Sequence, residues 1–74
     1  MAAVEQLTFA EFEARLKPYG CTRVQAYRGP MEVWLTGWDE VFTVYCDDGT
    51  YDPWIVDELV QRVFPLTIPP DWKP

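Results

Sequence analysis

Met31-Glu32-Val33-Trp34-Leu35-Thr36, then Gly37-Trp38-Asp39-Glu40, then Val41-Phe42-Thr43-Val44-Tyr45-Cys46: the reading of this stretch decides the fold. The two outer runs alternate and are rich in β-branched and aromatic residues, which suits pleated strands, and the residues between them carry the Gly and Asp of a turn. A connection this short joins antiparallel strands. In the first run Met31, Val33 and Leu35 make the apolar set, so the alternation predicts that they face inward and that Glu32, Trp34 and Thr36 face outward. In the second, Phe42, Val44 and Cys46 are expected inward, with Thr43 and Tyr45 beside Trp34 on the outer face. Working backwards through an Arg28-Gly29-Pro30 turn, Cys21 to Tyr27 reads as another strand, with Thr22, Val24 and Ala26 inward and Arg23, Gln25 and Tyr27 outward.

Helices flank this meander. Thr8-Phe9-Ala10-Glu11 has the capping-box pattern, in which the Thr8 hydroxyl takes the backbone N–H three residues on and Glu11 reaches back. Phe9, Phe12 and Leu16 then share one stripe until Pro18 and Gly20 end the helix. Asp47-Asp48-Gly49-Thr50 is a turn, and Asp52-Pro53 starts a second helix because Asp caps free N–H groups and Pro needs none. Its apolar stripe is Ile55, Val56, Leu59, Val60 and Val63, with Trp54, Asp57, Glu58, Gln61 and Arg62 on the polar arc. Pro65, Pro69, Pro70 and Pro74 predict an extended tail from residue 65 onward, pinned by Ile68 and Trp72. The expected architecture is α+β: one domain over 1–74, with helices 8–18 and 53–64, strands 21–27, 31–36 and 41–46 in an antiparallel sheet, and both helices on one face.

Charge is distributed unevenly along this framework. Between Gly29 and Gln61 there are eight carboxylates, Glu32, Asp39, Glu40, Asp47, Asp48, Asp52, Asp57 and Glu58, and no Lys or Arg. Residues 1 to 28 hold three acids and four bases and residues 29 to 74 nine acids and two bases, so parts of +1 and -7 make up the net charge of -6. An ordinary soluble surface intersperses both signs, and a one-signed field costs self-repulsion unless a cationic partner meets it. These acids, with Trp34, Trp38, Tyr45 and Trp54 among them, read as a partner-binding surface, with Trp38 expected exposed in its turn. Solvation of an exposed face is the competing explanation for the acids, and coverage of a small core is the competing one for each Trp. Direct nucleic-acid binding is not expected, because it needs a Lys/Arg stripe to release phosphate counterions.

Other classes find little support. There is no His, and neither Cys21 nor Cys46 has a neighbour in sequence that makes a nucleophile dyad, so no enzyme, metal or cofactor is expected. Asp47 to Asp52 lacks the alternating acids and closing Glu of a calcium loop. Two Cys in strand-like runs suggest reduced thiols and a cytoplasmic setting. No basic segment precedes an apolar run at the start, and no stretch approaches the roughly 20 apolar residues of a membrane span, so neither a secretory signal nor a membrane partner is expected.

The order α-β-β-β-α resembles the double-stranded-RNA-binding-domain-like fold and the HicA-type toxins. HicA-type catalysis rests on a histidine, which is missing here, and the Lys/Arg of an RNA-binding second helix is replaced by Asp57 and Glu58, so neither activity carries over. A small acidic domain with these features resembles, in composition, the phage-encoded anti-CRISPR proteins that act as DNA mimics. That resemblance implies a stoichiometric inhibitor, monomeric or weakly dimeric, whose partner is a basic nucleic-acid-binding protein or complex such as a CRISPR effector. An antitoxin- or immunity-like protein, and an adaptor that binds through an aromatic sheet face, fit the same residues, and a degenerate HicA-like RNA-acting protein is the weaker alternative.

Overall fold

The computed structural model describes residues 5–26 and 30–72. Tyr27, Arg28, Gly29, Lys73 and Pro74 lie outside that range, and with them parts of the expected first strand, its turn and the tail. The elements run β1 (Leu7–Thr8), α1 (Phe9–Leu16), a 3-10 turn (Lys17–Tyr19), β2 (Thr22–Ala26), β3 (Met31–Leu35), β4 (Val41–Tyr45), β5 (Thr50–Tyr51), α2 (Pro53–Glu58), a π-helical turn (Leu59–Val63) and α3 (Phe64–Thr67). Strands β2-β3-β4 form an antiparallel sheet in that order, and β1 pairs with β5 in a small second sheet that the sequence did not announce.

Both halves of the capping box form at Thr8, with Thr8 Oγ1 accepting from Glu11 N at 3.2 Å and Glu11 Oε1 accepting from Thr8 N at 3.0 Å. Asp52 stands at the start of α2 with Pro53 in the first turn, but its carboxylate makes no cap. It accepts instead from Gln6 Nε2 at 2.9 Å, tying the approach to β1 to the start of α2. Helix does not stop at Pro65. In the π turn Phe64 N donates to the Leu59 carbonyl five residues back, and Ile68 N then donates to Phe64 O at 2.8 Å. The widened turn places Pro65 in the first turn of α3, where its missing N–H is tolerated, so the helical segment reaches Thr67.

The largest departure from expectation is the facing of β3. Glu32, Trp34 and Thr36 are buried, whereas Met31, Val33 and Leu35 are only half-buried. The cause is the length of the β3–β4 loop. Thr36 N donates to Glu40 O at 2.9 Å and Trp34 pairs with Phe42, so the loop is three residues, Gly37 to Asp39, and not four. Asp39 takes the left-handed φ of 65° that such a loop needs after its first two residues. A four-residue loop would have set Leu35 opposite Phe42; one residue fewer sets Trp34 there and turns the whole strand over. β2 is turned over only in its first half: Arg23 pairs with Trp34, Thr22 with Leu35, and Val24, at an irregularity between Arg23 and Gln25, is exposed. Beyond the irregularity the expected phase returns, with Gln25 opposite Val33 and Ala26 opposite Glu32. The β4 expectation holds at Phe42 and Val44, both buried, while Cys46 is half-buried.

Both helical segments cover the sheet face that carries Trp34, Phe42 and Val44. From α1, Phe12 meets the Trp34 ring edge-on at 5.3 Å between centroids, and from α3, Phe64 meets Phe42 at 5.5 Å. Leu7, Leu16, Cys21, Tyr51, Val56 and Leu59 complete this core. The tail is pinned at Trp72, whose ring packs edge-on against Trp38 at 5.4 Å. It lies directly over Gly37, where an added Cβ would overlap the indole and approach Tyr19 O to 2.9 Å. Gly37→Ala is therefore expected to displace Trp72 and to destabilise by about 1–3 kcal/mol, through overpacking, in urea unfolding followed by Trp fluorescence. An unchanged midpoint would show that the tail does not sit there.

Candidate functional site

The twelve residues expected at a partner surface separate into two groups. Glu32 and Trp34 belong to the core, which corrects their assignment to the outer face. The Glu32 carboxylate is a hub: Oε1 accepts from Trp34 Nε1 at 3.1 Å and from Tyr51 Oη at 2.6 Å, and Oε2 pairs with Arg23 Nη1 at 3.1 Å. Arg23 lies 4.3 Å from the centre of the Phe9 ring, and Tyr51 stacks on Phe12 at 4.1 Å. A buried carboxylate is tolerable because all these donors converge on it. Trp38, expected exposed, is half-buried: its Nε1 donates to Thr67 Oγ1 at 3.1 Å and its ring meets Phe64 edge-on. It joins the β3–β4 loop to α3.

Burial pushes the Glu32 carboxyl up, but the bonds from Tyr51, Trp34 and Arg23, together with the Arg23 charge, outweigh it and hold the group below the ordinary carboxylate range. Tyr51 moves the other way, its phenol raised first by burial and then by the adjacent Glu32 carboxylate. Glu32 binds protons less readily folded than unfolded, so its stabilisation is present above the ordinary Glu value and fades as pH falls through its folded value. Tyr51 holds its proton more tightly folded, so its stabilisation is complete below the ordinary phenol value of about 10 and is lost as pH rises beyond it. A pH series of unfolding midpoints should show both limbs, with a shallower alkaline one in Tyr51→Phe. An alkaline limb as steep in Tyr51→Phe as in the wild type would argue against the hub. Burial pushes the Cys21 thiol up to about 11, which makes it a poor nucleophile at neutral pH.

The other nine residues remain at the surface. Asp39, the last residue of the β3–β4 loop, and Glu40, which follows it, are exposed at one end of β4. Asp47 and Asp48 are exposed at the other end, where Asp48 and Gly49 both have positive φ and Asp47 and Thr50 exchange two backbone hydrogen bonds, the pattern of a type I′ turn. Glu40 and Asp47 are thus separated by about 24 Å at strand rise. Tyr45 and Trp54 are well exposed, Asp52 is half-buried, and Asp57 and Glu58 project from α2. Arg62 is the one Lys or Arg among residues 30–72, and it lies 3.8 Å from Glu58.

Between β4 and α2 runs a groove of about 240 Å³. Thr43, Val44 and Tyr45 line its strand side and Trp54, Ile55, Leu59 and Val63 its helix side, with Asp52 and Glu58 as its carboxylates. Sequence reading missed the groove because Ile55, Leu59 and Val63 look like ordinary core positions of an amphipathic helix. The outer sheet face was expected to be aromatic; Tyr45 is there, 64% exposed, but Trp34 is not, and the face is instead made by Val24 and Val41, each 59% exposed, beside half-buried Met31, Val33 and Leu35. That face carries aliphatic and hydroxyl groups and no charge along β3 and β4. Among the described residues no three His, Cys, Asp or Glu are grouped as a metal site, and no helix is long and apolar enough to cross a membrane. Comparison with protein families, with curated proteins and with solved structures gave no match.

Proposed function

We propose that this protein is a non-enzymatic inhibitor that sets its anionic surface into the basic nucleic-acid groove of a partner protein, in the manner of a DNA mimic. The observation that carries this reading is the segregation of charge. Eight carboxylates outside the core, Asp39, Glu40, Asp47, Asp48, Asp52, Asp57, Glu58 and Asp71, are offset among residues 30–72 by Arg62 alone, because Glu32 is already neutralised by Arg23. The acids mark both ends of β4 and the exposed side of α2, with Tyr45 and Trp54 between them. They do not alternate along a strand, so the likeness is to two anionic poles about 24 Å apart and not to the even phosphate spacing of one backbone. Such a surface steers a cationic partner and competes with phosphate for the same Lys and Arg. The compositional resemblance to anti-CRISPR proteins makes a CRISPR effector in a bacterial cytoplasm the foremost candidate.

Capture from a bacterial lysate, with and without nuclease, tests this. A captured protein that itself binds nucleic acid and is retained after nuclease supports the reading; capture that disappears with the nucleic acid overturns it. A second reading, an adaptor that recognises protein through the outer sheet face, draws on the uncharged surface of Val24, Met31, Val33, Leu35, Val41 and Tyr45. Under it, Val41→Glu would abolish capture while neutralising Asp47 and Asp48 would leave it intact. RNA cleavage by the purified protein would instead return it to the HicA-like class.

A further inference from the structure

β4 has an open edge. Cys46 N donates to Pro30 O at 2.7 Å and Thr36 N donates to Glu40 O, which fixes the phase of the antiparallel ladder: Phe42 and Val44 turn their backbone groups toward β3, and Val41, Thr43 and Tyr45 turn theirs away from it. Among the described residues no strand pairs with that outer edge. Proteins usually guard such an edge with a bulge, a Pro or an inward charge. β2, the opposite edge, has an irregularity at Val24 and the ion-paired Arg23, whereas Val-Phe-Thr-Val-Tyr in β4 has none of these devices.

We propose that the β4 edge and the groove beside it form a strand-addition site for an extended, cationic segment of a partner protein. An added strand would meet the N–H and C=O groups of Val41, Thr43 and Tyr45, which no strand among the described residues engages. Its residues opposite Phe42 and Val44 would share their inward facing and send side chains into the groove toward Ile55, Leu59 and Val63. A cavity of about 150 Å³ accommodates benzene, so the groove has room for one or two aliphatic side chains. Charge complementarity decides the occupant. A strand matching the five residues of β4 spans about 17 Å, and just beyond its ends lie Asp39 and Glu40 on one side and Asp47 and Asp48 on the other, with Asp52 and Glu58 in the groove. The sequence that fits has aliphatic residues at alternate positions and Lys or Arg at both ends. A second copy of this chain fits poorly, since antiparallel pairing of two β4 strands about Thr43 sets Asp39 of each against Asp47 of the other. The inference rests on the anionic-surface reading for the partner's charge, but the backbone pairing is its own claim.

The probe is a synthetic peptide with Val and Thr alternating between pairs of Lys, compared with the same peptide N-methylated on the residues that face β4. Binding is followed by NMR and by amide hydrogen exchange of the full chain. The expected result is that the amides of Val41, Thr43 and Tyr45 become protected and that N-methylation weakens binding by about tenfold or more. Thr43→Pro, which removes an edge N–H without touching the β3 ladder, should weaken it similarly. Equal binding of the methylated peptide overturns the edge site while leaving the anionic surface standing. Failure of both peptides overturns it too, and protection of the same amides by self-association would assign the edge to a second copy instead.

Discussion

Glu32→Ala should remove about 2–5 kcal/mol of stability, chiefly the cost of leaving two buried donors without an acceptor, since the Arg23 side chain is 40% exposed and can be solvated, and should leave the domain only marginally stable at room temperature. A 74-residue domain has roughly 4–11 kcal/mol in total at ordinary values per residue, so little margin would remain. The loss has identifiable parts. Without the carboxylate, Trp34 Nε1 and Tyr51 Oη are left without an acceptor in the core, and Arg23 loses the anchor that holds it over Phe9. Glu32→Gln is the informative control, because both Trp34 and Tyr51 bond Oε1, which an amide oxygen can replace, while the amide NH2 would face the Arg23 guanidinium. It should cost about 1–3 kcal/mol. Urea unfolding followed by circular dichroism measures both, and a near-neutral Glu32→Ala would mean that β3 has its aliphatic side inward after all.

The second large effect concerns binding and leaves the fold alone. Asp47→Lys with Asp48→Asn, combined with Asp39→Asn and Glu40→Lys, alters both acidic poles. Asn replaces the aspartates at 39 and 48 because their φ values of 65° and 52° are left-handed, where Asn is at ease and Lys is strained. All four side chains are exposed in turns, so unfolding midpoints should stay close to those of the wild type. Association with the captured partner should slow by more than about tenfold at low salt, and the residual binding should lose most of its salt dependence. If the variant associates like the wild type, the acids only solvate the surface and the outer sheet face becomes the leading interface.

Local chemistry was legible where it acted locally. Thr8 and Glu11 cap α1 within four residues of each other, and Pro53 begins α2 through its own ring. The acid-rich turns at Asp39-Glu40 and Asp47-Asp48 were likewise readable, as short polar segments between strands. What sequence could not supply was the loop count between β3 and β4, since Gly37-Trp38-Asp39-Glu40 accommodates a three- or four-residue hairpin equally well. That single residue decides whether Trp34 or Leu35 faces Phe42. The partners that make a buried Glu32 acceptable are also distant, with Tyr51 nineteen residues along and brought in by the β1–β5 pairing. Trp38 misled for a related reason: its loop position suggests exposure, and only the return of the helical segment to Thr67 and the tail to Trp72 covers it.

Displacement of duplex DNA tests mimicry most directly. The captured partner is loaded with a labelled duplex and titrated with this protein at about 0.05 M and about 0.5 M salt. Release of the duplex at one equivalent in low salt, sharply weaker at high salt and absent with the charge-altered variant, is the expected result. A ternary complex in which the duplex stays bound, or release indifferent to both salt and the charge substitutions, would contradict it.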